Sequence, residues 1–252
     1  MSEWFEDDVF WEQFAPVMFD EDRWAGSRWE AEGAIHLSRT AGGAAVLDSC
    51  CGVGRHAVEF AKMGFSVTAV DRTTSYIDAA RETAEGLNIE FIVEDARRFR
   101  RVGTYDLAVN LFTSFGFFAT IEEEQRYVKN ILESLRPGGC FLIDLNGKEL
   151  LARDFIDSEA WERNGCLVYT EYAIEDNWGS LANHWVIVDT SGRRYDYRFH
   201  HRLYSARELE TLLLECGFAS TEVYGGFSGA PYDQDAERLI VCGKKSGTNR
   251  EE

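Results

Sequence analysis

From residue 44 to residue 245 the chain alternates short apolar runs with segments of helical period, and that alternation admits few architectures. Strands separated by helices are joined by crossovers, so they lie parallel in one sheet with helices on both faces. The apolar runs predict strands at 44–48, 66–70, 89–93, 105–111, 140–145, 221–224 and 238–243. Helical periodicity covers 54–63, 74–86, 121–135 and 206–216. Ser205 with Glu208 three residues on reads as a capping box. Pro137-Gly138-Gly139 reads as the stop of the helix before the fifth strand, because proline cannot continue a helix and glycine accepts a left-handed cap.

Two segments stand outside this alternation. Residues 1–39 carry Trp4, Trp11, Trp24 and Trp29 among many acids, which predicts amphipathic helices packed against the main domain. Because the carboxyl edge of a parallel sheet is its open side, that segment is expected to close over it as a lid. Residues 150–204 contain strand-like stretches at 166–174, 184–189 and 194–203, broken by turn signals at Asn177-Trp178-Gly179 and Ser191-Gly192. They are read as a small antiparallel insertion after the fifth strand, on the acceptor side of the site, and the main domain is expected in two pieces, 40–149 and 205–246. Along 194–202 a strand places Tyr195, Tyr197, Phe199 and His201 on one face and Arg194, Asp196, Arg198, His200 and Arg202 on the other.

Composition narrows the function. A net charge of −18 over 252 residues argues against a nucleic-acid substrate, since polyanion binding rests on Lys and Arg neutralising phosphates. The short basic run from Arg97 to Arg101 reads as a solvated loop edge. Membrane spans need about 18 consecutive apolar residues, and none approaches that length; the acidic start Met1-Ser2-Glu3-Trp4-Phe5-Glu6 lacks the basic and apolar regions of a secretory signal, so the cytoplasm is expected. The six cysteines include no C-x-x-C pair and the five histidines no regular ligand spacing, which predicts free, mostly buried thiols and no metal.

The chemistry concentrates in Val46-Leu47-Asp48-Ser49-Cys50-Cys51-Gly52-Val53-Gly54-Arg55-His56, where a buried strand meets a glycine-bearing turn and then a helix. Gly52 and Gly54 let backbone approach a ligand at the carboxyl ends of the strands. The G-x-G-x-x-G spacing that holds a dinucleotide pyrophosphate is absent. Asp71 ends the second strand, placed to accept from two vicinal ribose hydroxyls, and Asp95 follows the third, placed to accept from an adenine amino group.

In order and spacing these elements resemble the class I S-adenosylmethionine-dependent methyltransferases, within a bacterial subgroup acting on small molecules. Asp48 through Gly54 matches the glycine motif, with Cys50 standing where the family has its first glycine. The resemblance implies a Rossmann-like seven-stranded sheet of order 3-2-1-4-5-7-6, strand 7 antiparallel, and S-adenosyl-L-methionine as cofactor. It implies cofactor contacts from Asp48, Cys50, Cys51, Gly52, Gly54 and Arg55, from Asp71, Arg72 and Tyr76, from Asp95, Ala96 and Arg97, and from Asn110 and Leu111. The expected activity is methyl transfer to an O or N atom of a small-molecule acceptor. A non-catalytic S-adenosylmethionine-binding module and a nucleotide-dependent oxidoreductase are the alternatives.

On the acceptor side, Phe112, Phe115, Phe117 and Phe118 follow the fourth strand and are candidates for an apolar wall. Phe115, Trp185, Tyr197, His201 and Arg202 are the candidate substrate contacts. His184, His200 and His201, then Tyr197 and Tyr204, are candidate bases, and none is assigned a catalytic role. A competing use of the insertion is homodimerisation.

Overall fold

The alternation folds as expected in the computed structural model, which describes residues 3–247; Met1 and Ser2, the start of the expected lid, lie outside the described residues. After a single helical turn at Trp4–Glu6 come α1 (Asp8–Met18) and α2 (Glu21–Ser38). Asp7 and Asp20 start them by accepting hydrogen bonds from the first free amides, Val9 and Phe10 in one case and Arg23 in the other. Then β1 (Ala45–Ser49), α3 (Arg55–Lys62), β2 (Ser66–Asp71), α4 (Thr74–Thr83), β3 (Ile89–Val93), β4 (Tyr105–Asn110), α5 (Ile121–Ser134) and β5 (Leu135–Leu145) follow. A short α6 (Lys148–Arg153) leads into β6 (Ser158–Arg163), β7 (Cys166–Glu175), β8 (Ser180–Val188) and β9 (Arg194–Arg202). The chain returns through α7 (Ala206–Glu215), β10 (Ser220–Tyr224) and β11 (Leu239–Lys244).

Across the main sheet the order is β3-β2-β1-β4-β5-β11-β10, with β11 antiparallel to both neighbours, which is the expected 3-2-1-4-5-7-6. Strands β6 to β9 form a second, antiparallel sheet in simple sequence order. The Ser205–Glu208 capping box is present at the start of α7, and all six cysteines are free, five of them buried.

Three features depart from the sequence reading. Helix α5 stops at Ser134 because Leu135 is already extended (φ −73, ψ 145), fully buried and paired with Tyr105. Pro137-Gly138-Gly139 therefore belong to β5, with Gly138 at φ +78, and do not cap the helix. Helix α6 and strand β6 were not anticipated; the residues of β6 are mostly exposed, so no apolar alternation announces it. Lastly, the apolar faces of the two helices divide: α2 sets Ala31, Ala34 and Leu37 into the main-domain cluster with β1, α3 and α4. Helix α1 turns Phe10, Phe14 and Val17 onto Val168, Ile187 and Phe199 of the second sheet instead. Their spacing of four and three puts them on one helical stripe, which fits the aromatic face of β9.

Candidate active site

The β1–α3 turn is built on left-handed backbone at Cys50 (φ 62), Gly52 (φ 56) and Gly54 (φ 76). Cys50 thus takes the conformation that the missing glycine would have supplied, at a cost of about 1–2 kcal/mol. Asp71 holds the turn from β2: one carboxylate oxygen accepts from Gly52 N–H at 2.9 Å and the other from Thr73 N–H at 2.9 Å. Burial raises its pKa, and those two hydrogen bonds oppose the rise. Beneath the turn, burial pushes Asp48 up to about 7 against the pull of Arg55. Its Oδ2 and the Oδ1 of Asn110 are buried without partners, while Asn110 Nδ2 donates to the Tyr127 hydroxyl and that hydroxyl to Ser49 Oγ.

Above the turn lies a cavity of about 360 Å³, within the usual range for a small-molecule site of about 300–1,000 Å³. Of the residues singled out from sequence, Cys50, Cys51, Gly52, Arg55, Asp71, Arg72, Tyr76, Asp95, Ala96 and Leu111 line it, with Trp185 and His201 on the far side. The others stand behind the wall. Asp48 and Asn110 lie under the turn, and Gly54 packs against Ala80 and Phe91. Phe115 is core, set against Tyr127 and Tyr204, whereas Phe112, Phe117 and Phe118 do face the cavity. Tyr197 packs on Phe10 and Phe14. Arg202 pairs with buried Glu124 at 3.5 Å, and its amide donates to Gly116 O at 2.7 Å.

Several lining residues fasten the N-terminal segment across the cavity. Arg72 donates to Phe5 O and to Asp8, each at 2.9 Å, and the Tyr76 hydroxyl donates to Trp11 O at 2.6 Å. Arg97 binds Asp95, Glu6 and Glu123 together and lies over the rings of Phe5 and Phe118. Arg55 pairs with Glu30 on α2 and donates to Ser27 Oγ at 3.0 Å. Burial pulls Glu30 upward, but its hydrogen bond from His56 and the Arg55 charge outweigh burial and hold it at about 2. The charged contacts read from sequence as cofactor ligands are, in the fold, also the fastenings of the cover.

Sequence reasoning missed Arg23, Asn183 and Phe10 as lining residues, while Trp4 and Trp11 of the expected lid and Phe199 of the aromatic face do reach the cavity. Arg23 lies over Phe112 with its pKa lowered by burial, and no carboxylate pairs with it among the described residues. Phe112 (φ 62) and Thr113 (φ 58) are consecutive left-handed residues at the end of β4, held by Asp144, whose Oδ2 accepts from Phe112 N–H and whose backbone oxygen accepts from Thr113 N–H. Such strain concentrates at functional sites. The crowding of Trp into 1–39 was a signal for the aromatic lining; nothing in the sequence marks Arg23 apart from its neighbours.

A family model described as a methyltransferase domain matches residues 46–139, from β1 through the start of β5. This match, with the methyltransferase relatives and the solved structures of similar fold, supports a class I S-adenosylmethionine-dependent methyltransferase. S-adenosylmethionine is its cofactor, and the oxidoreductase alternative is not favoured. The methyltransferase is 25% identical over 197 residues to the dTDP-3-amino-3,4,6-trideoxy-alpha-D-glucopyranose N,N-dimethyltransferase of Streptomyces venezuelae, covering 76% of this chain and 82% of that one. It is 24% identical over 233 residues to the glycine/sarcosine N-methyltransferase of Aphanothece halophytica, covering 88% and 83%. Its fold is similar to that of the CcbJ methyltransferase from Streptomyces caelestis, with a TM-score of 0.75 at 16% identity over 93% of this chain and 95% of that one. Among the described residues of the methyltransferase, no helix is long and apolar enough to cross a membrane.

Proposed function

We propose that the enzyme methylates a nitrogen atom of a small, partly apolar acceptor. The observation that carries this reading is the distribution of charge in the cavity: its acids, Asp71, Glu94 and Asp95, all stand at the ends of β2 and β3. The opposite side, formed by α1, the β4 loop and the second sheet, presents Phe10, Trp11, Phe117, Trp185 and Phe199 and no carboxylate. A hydroxyl acceptor needs a base at its proton, whereas an amine attacks with a free lone pair.

The chain's groups suit the cofactor. Asp71 stands where a ribose diol would be held, the Asp95–Ala96 backbone where an adenine edge would lie, and the unpaired guanidinium of Arg23 where a carboxylate would be met. S-adenosylmethionine supplies a methyl group already activated on a sulfonium. The protein's part is to align the acceptor at near-attack distance and to exclude water, which the aromatic cover on α1 does. The N-terminal segment is thus a lid, and the β6–β9 sheet the acceptor wall.

The small size of the cavity and the acidic chain favour a small molecule over a nucleic acid, and a cytoplasmic location agrees with both. Homodimerisation through the outer face of the second sheet is the competing use of that element, decided by sedimentation. The main test supplies labelled S-adenosylmethionine with matched pools of amines and alcohols. Label is expected in the amines; label confined to alcohols refutes the nitrogen assignment, and no thermal stabilisation by S-adenosylhomocysteine refutes the site.

A further inference from the structure

We propose that His201 is a fixed hydrogen-bond donor to the methyl acceptor, locked in that role by Asn183, and that the acceptor is therefore a planar molecule bearing an uncharged hydrogen-bond-accepting oxygen or ring nitrogen. The inference rests on the reading of the cavity as a cofactor-plus-acceptor site and specifies the acceptor's chemistry.

In the β8–β9 ladder Asn183 stands opposite Phe199 and His201 opposite Leu181, so the two polar side chains are diagonal neighbours on the face that covers the cavity. Asn183 Nδ2 lies 2.9 Å from Leu181 O, 3.5 Å from Phe199 O and 3.2 Å from His201 Nδ1. Two carbonyl oxygens can only accept, which makes the atom beside them the amide NH₂ and settles its orientation. An NH₂ facing Nδ1 makes Nδ1 an acceptor. The ring hydrogen then sits on Nε2, and Nε2 meets no partner among the described residues. Burial holds the ring neutral by pushing its pKa down to about 4. A neutral imidazole with its hydrogen on Nε2 offers that nitrogen as a donor, not as a proton-abstracting base.

Around this donor the surface is aromatic. Phe117 lies edge-on to the His201 ring at 5.9 Å, Trp4 stacks on Phe199 at 4.3 Å, and Trp185 flanks Phe199 at 5.8 Å. Arg163, the cation that the second sheet contributes to the lining, is already engaged by Asp20 at 2.8 Å and Val17 O at 3.1 Å. Flat rings favour a flat guest. The indole N–H groups of Trp4 and Trp185 are likewise neutral and without partners, and neutral donors beside a paired Arg163, with Arg23 at the cofactor end, favour an uncharged acceptor atom over a carboxylate.

The test uses the full-length enzyme saturated with S-adenosylhomocysteine and three probes of similar size: 2-aminobenzamide, 2-ethylaniline and 2-aminobenzoate. Long-range proton–nitrogen correlation spectra of histidine-labelled protein are expected to show His201 as the neutral Nε2–H tautomer, and Asn183→Ala to abolish that preference. By calorimetry 2-aminobenzamide is expected to bind about five- to tenfold more tightly than 2-ethylaniline, the worth of one neutral hydrogen bond. His201→Phe removes the difference and His201→Gln, which keeps an N–H donor, retains much of it. A His201 hydrogen on Nδ1, equal binding of amide and hydrocarbon, no binding of either, or tightest binding of the benzoate overturns the proposal. S-adenosylhomocysteine affinity, measured on wild type and all three variants, separates the two readings: its absence in wild type defeats the cofactor site, whereas its persistence with any of those four outcomes defeats the role of His201 alone.

Discussion

The seven-stranded sheet and the cover formed by α1 with the β6–β9 sheet hold together by different means. In the first, Val46, Leu47, Leu107 and Ile143 are fully buried aliphatic side chains in a continuous ladder, each worth about 1.5–3 kcal/mol of burial. In the second, rings meet rings around α1, and part of their surface faces the cavity. The two are joined through charge at the Arg97 cluster, the Arg72–Asp8 pair, the Arg163–Asp20 pair, and Glu124 with Arg202 and Tyr204, and through rings where Trp4, Phe5 and Trp11 meet Phe117 and Phe118. A core sealed by apolar contact is indifferent to what the cavity holds. A seam of polar contacts can part without unfolding either side, and it responds to pH.

Glu124 gives the largest expected test of that contrast. Its side chain is buried in the seam under the Tyr204 hydroxyl, and burial pushes it up to about 8 from an ordinary 4.5, with Arg202 opposing. Below 4.5 the group is protonated whether the chain is folded or not, so its contribution is fully present there. As pH rises toward 8 the unfolded chain releases the proton and the folded one keeps it, and stability falls across that window by up to about 5 kcal/mol. Denaturant midpoints at pH 5 and pH 9 should show this fall in wild type and a flatter curve in Glu124→Gln; coincident curves would mean the seam does not titrate.

Next in size is Arg97→Ala, which leaves Asp95, Glu6 and Glu123 facing one another in a half-buried site. About 3 kcal/mol is expected, near the low end for breaking a buried pair. Hydrogen exchange should show the loss at the amides of α1 before those of β1 and β4. Uniform loss throughout would erase the distinction between core and cover.

Asp71→Ala tests the core side. Losing a charge-assisted hydrogen bond should weaken S-adenosylhomocysteine by about 1.5 to 3 kcal/mol, roughly 10- to 150-fold. Because Asp71 also holds Gly52 N–H, Asp71→Asn serves as the control that keeps one acceptor oxygen in the turn. Unchanged calorimetric affinity in the alanine variant would remove Asp71 from the site. The smallest effect belongs to Tyr76→Phe, which deletes the bond to Trp11 O for about 1 kcal/mol. It should speed cofactor dissociation in stopped-flow while leaving the thermal midpoint nearly unmoved.

Legibility in the sequence followed the same division. Buried strands such as Val46-Leu47 and Leu142-Ile143 announce themselves because burial on both faces demands unbroken apolar runs. The turn and the acids at Asp71 and Asp95 were legible from spacing along one chain segment. The partners of α1 were not, because Phe10 and Phe14 find Trp185 and Tyr197 more than a hundred residues away, and periodicity says which face is apolar but not what covers it. Phe115 and Tyr197 were misjudged for a related reason: an aromatic beside a cavity and one behind its wall look alike in sequence. Strand β6 was invisible since its residues are half polar and mostly exposed.

Arg72, Tyr76 and Arg97 each grip the N-terminal segment from a strand end or first helical turn beside the cavity, and no grip touches the far sheet. Under the lid proposed above, a spent S-adenosylhomocysteine would depart at the pace at which these grips let go together. The catalytic cycle would carry a clock set by the protein and not by the acceptor. Good and poor nucleophiles would be turned over at similar rates under saturation, and thickening the solvent would slow both alike.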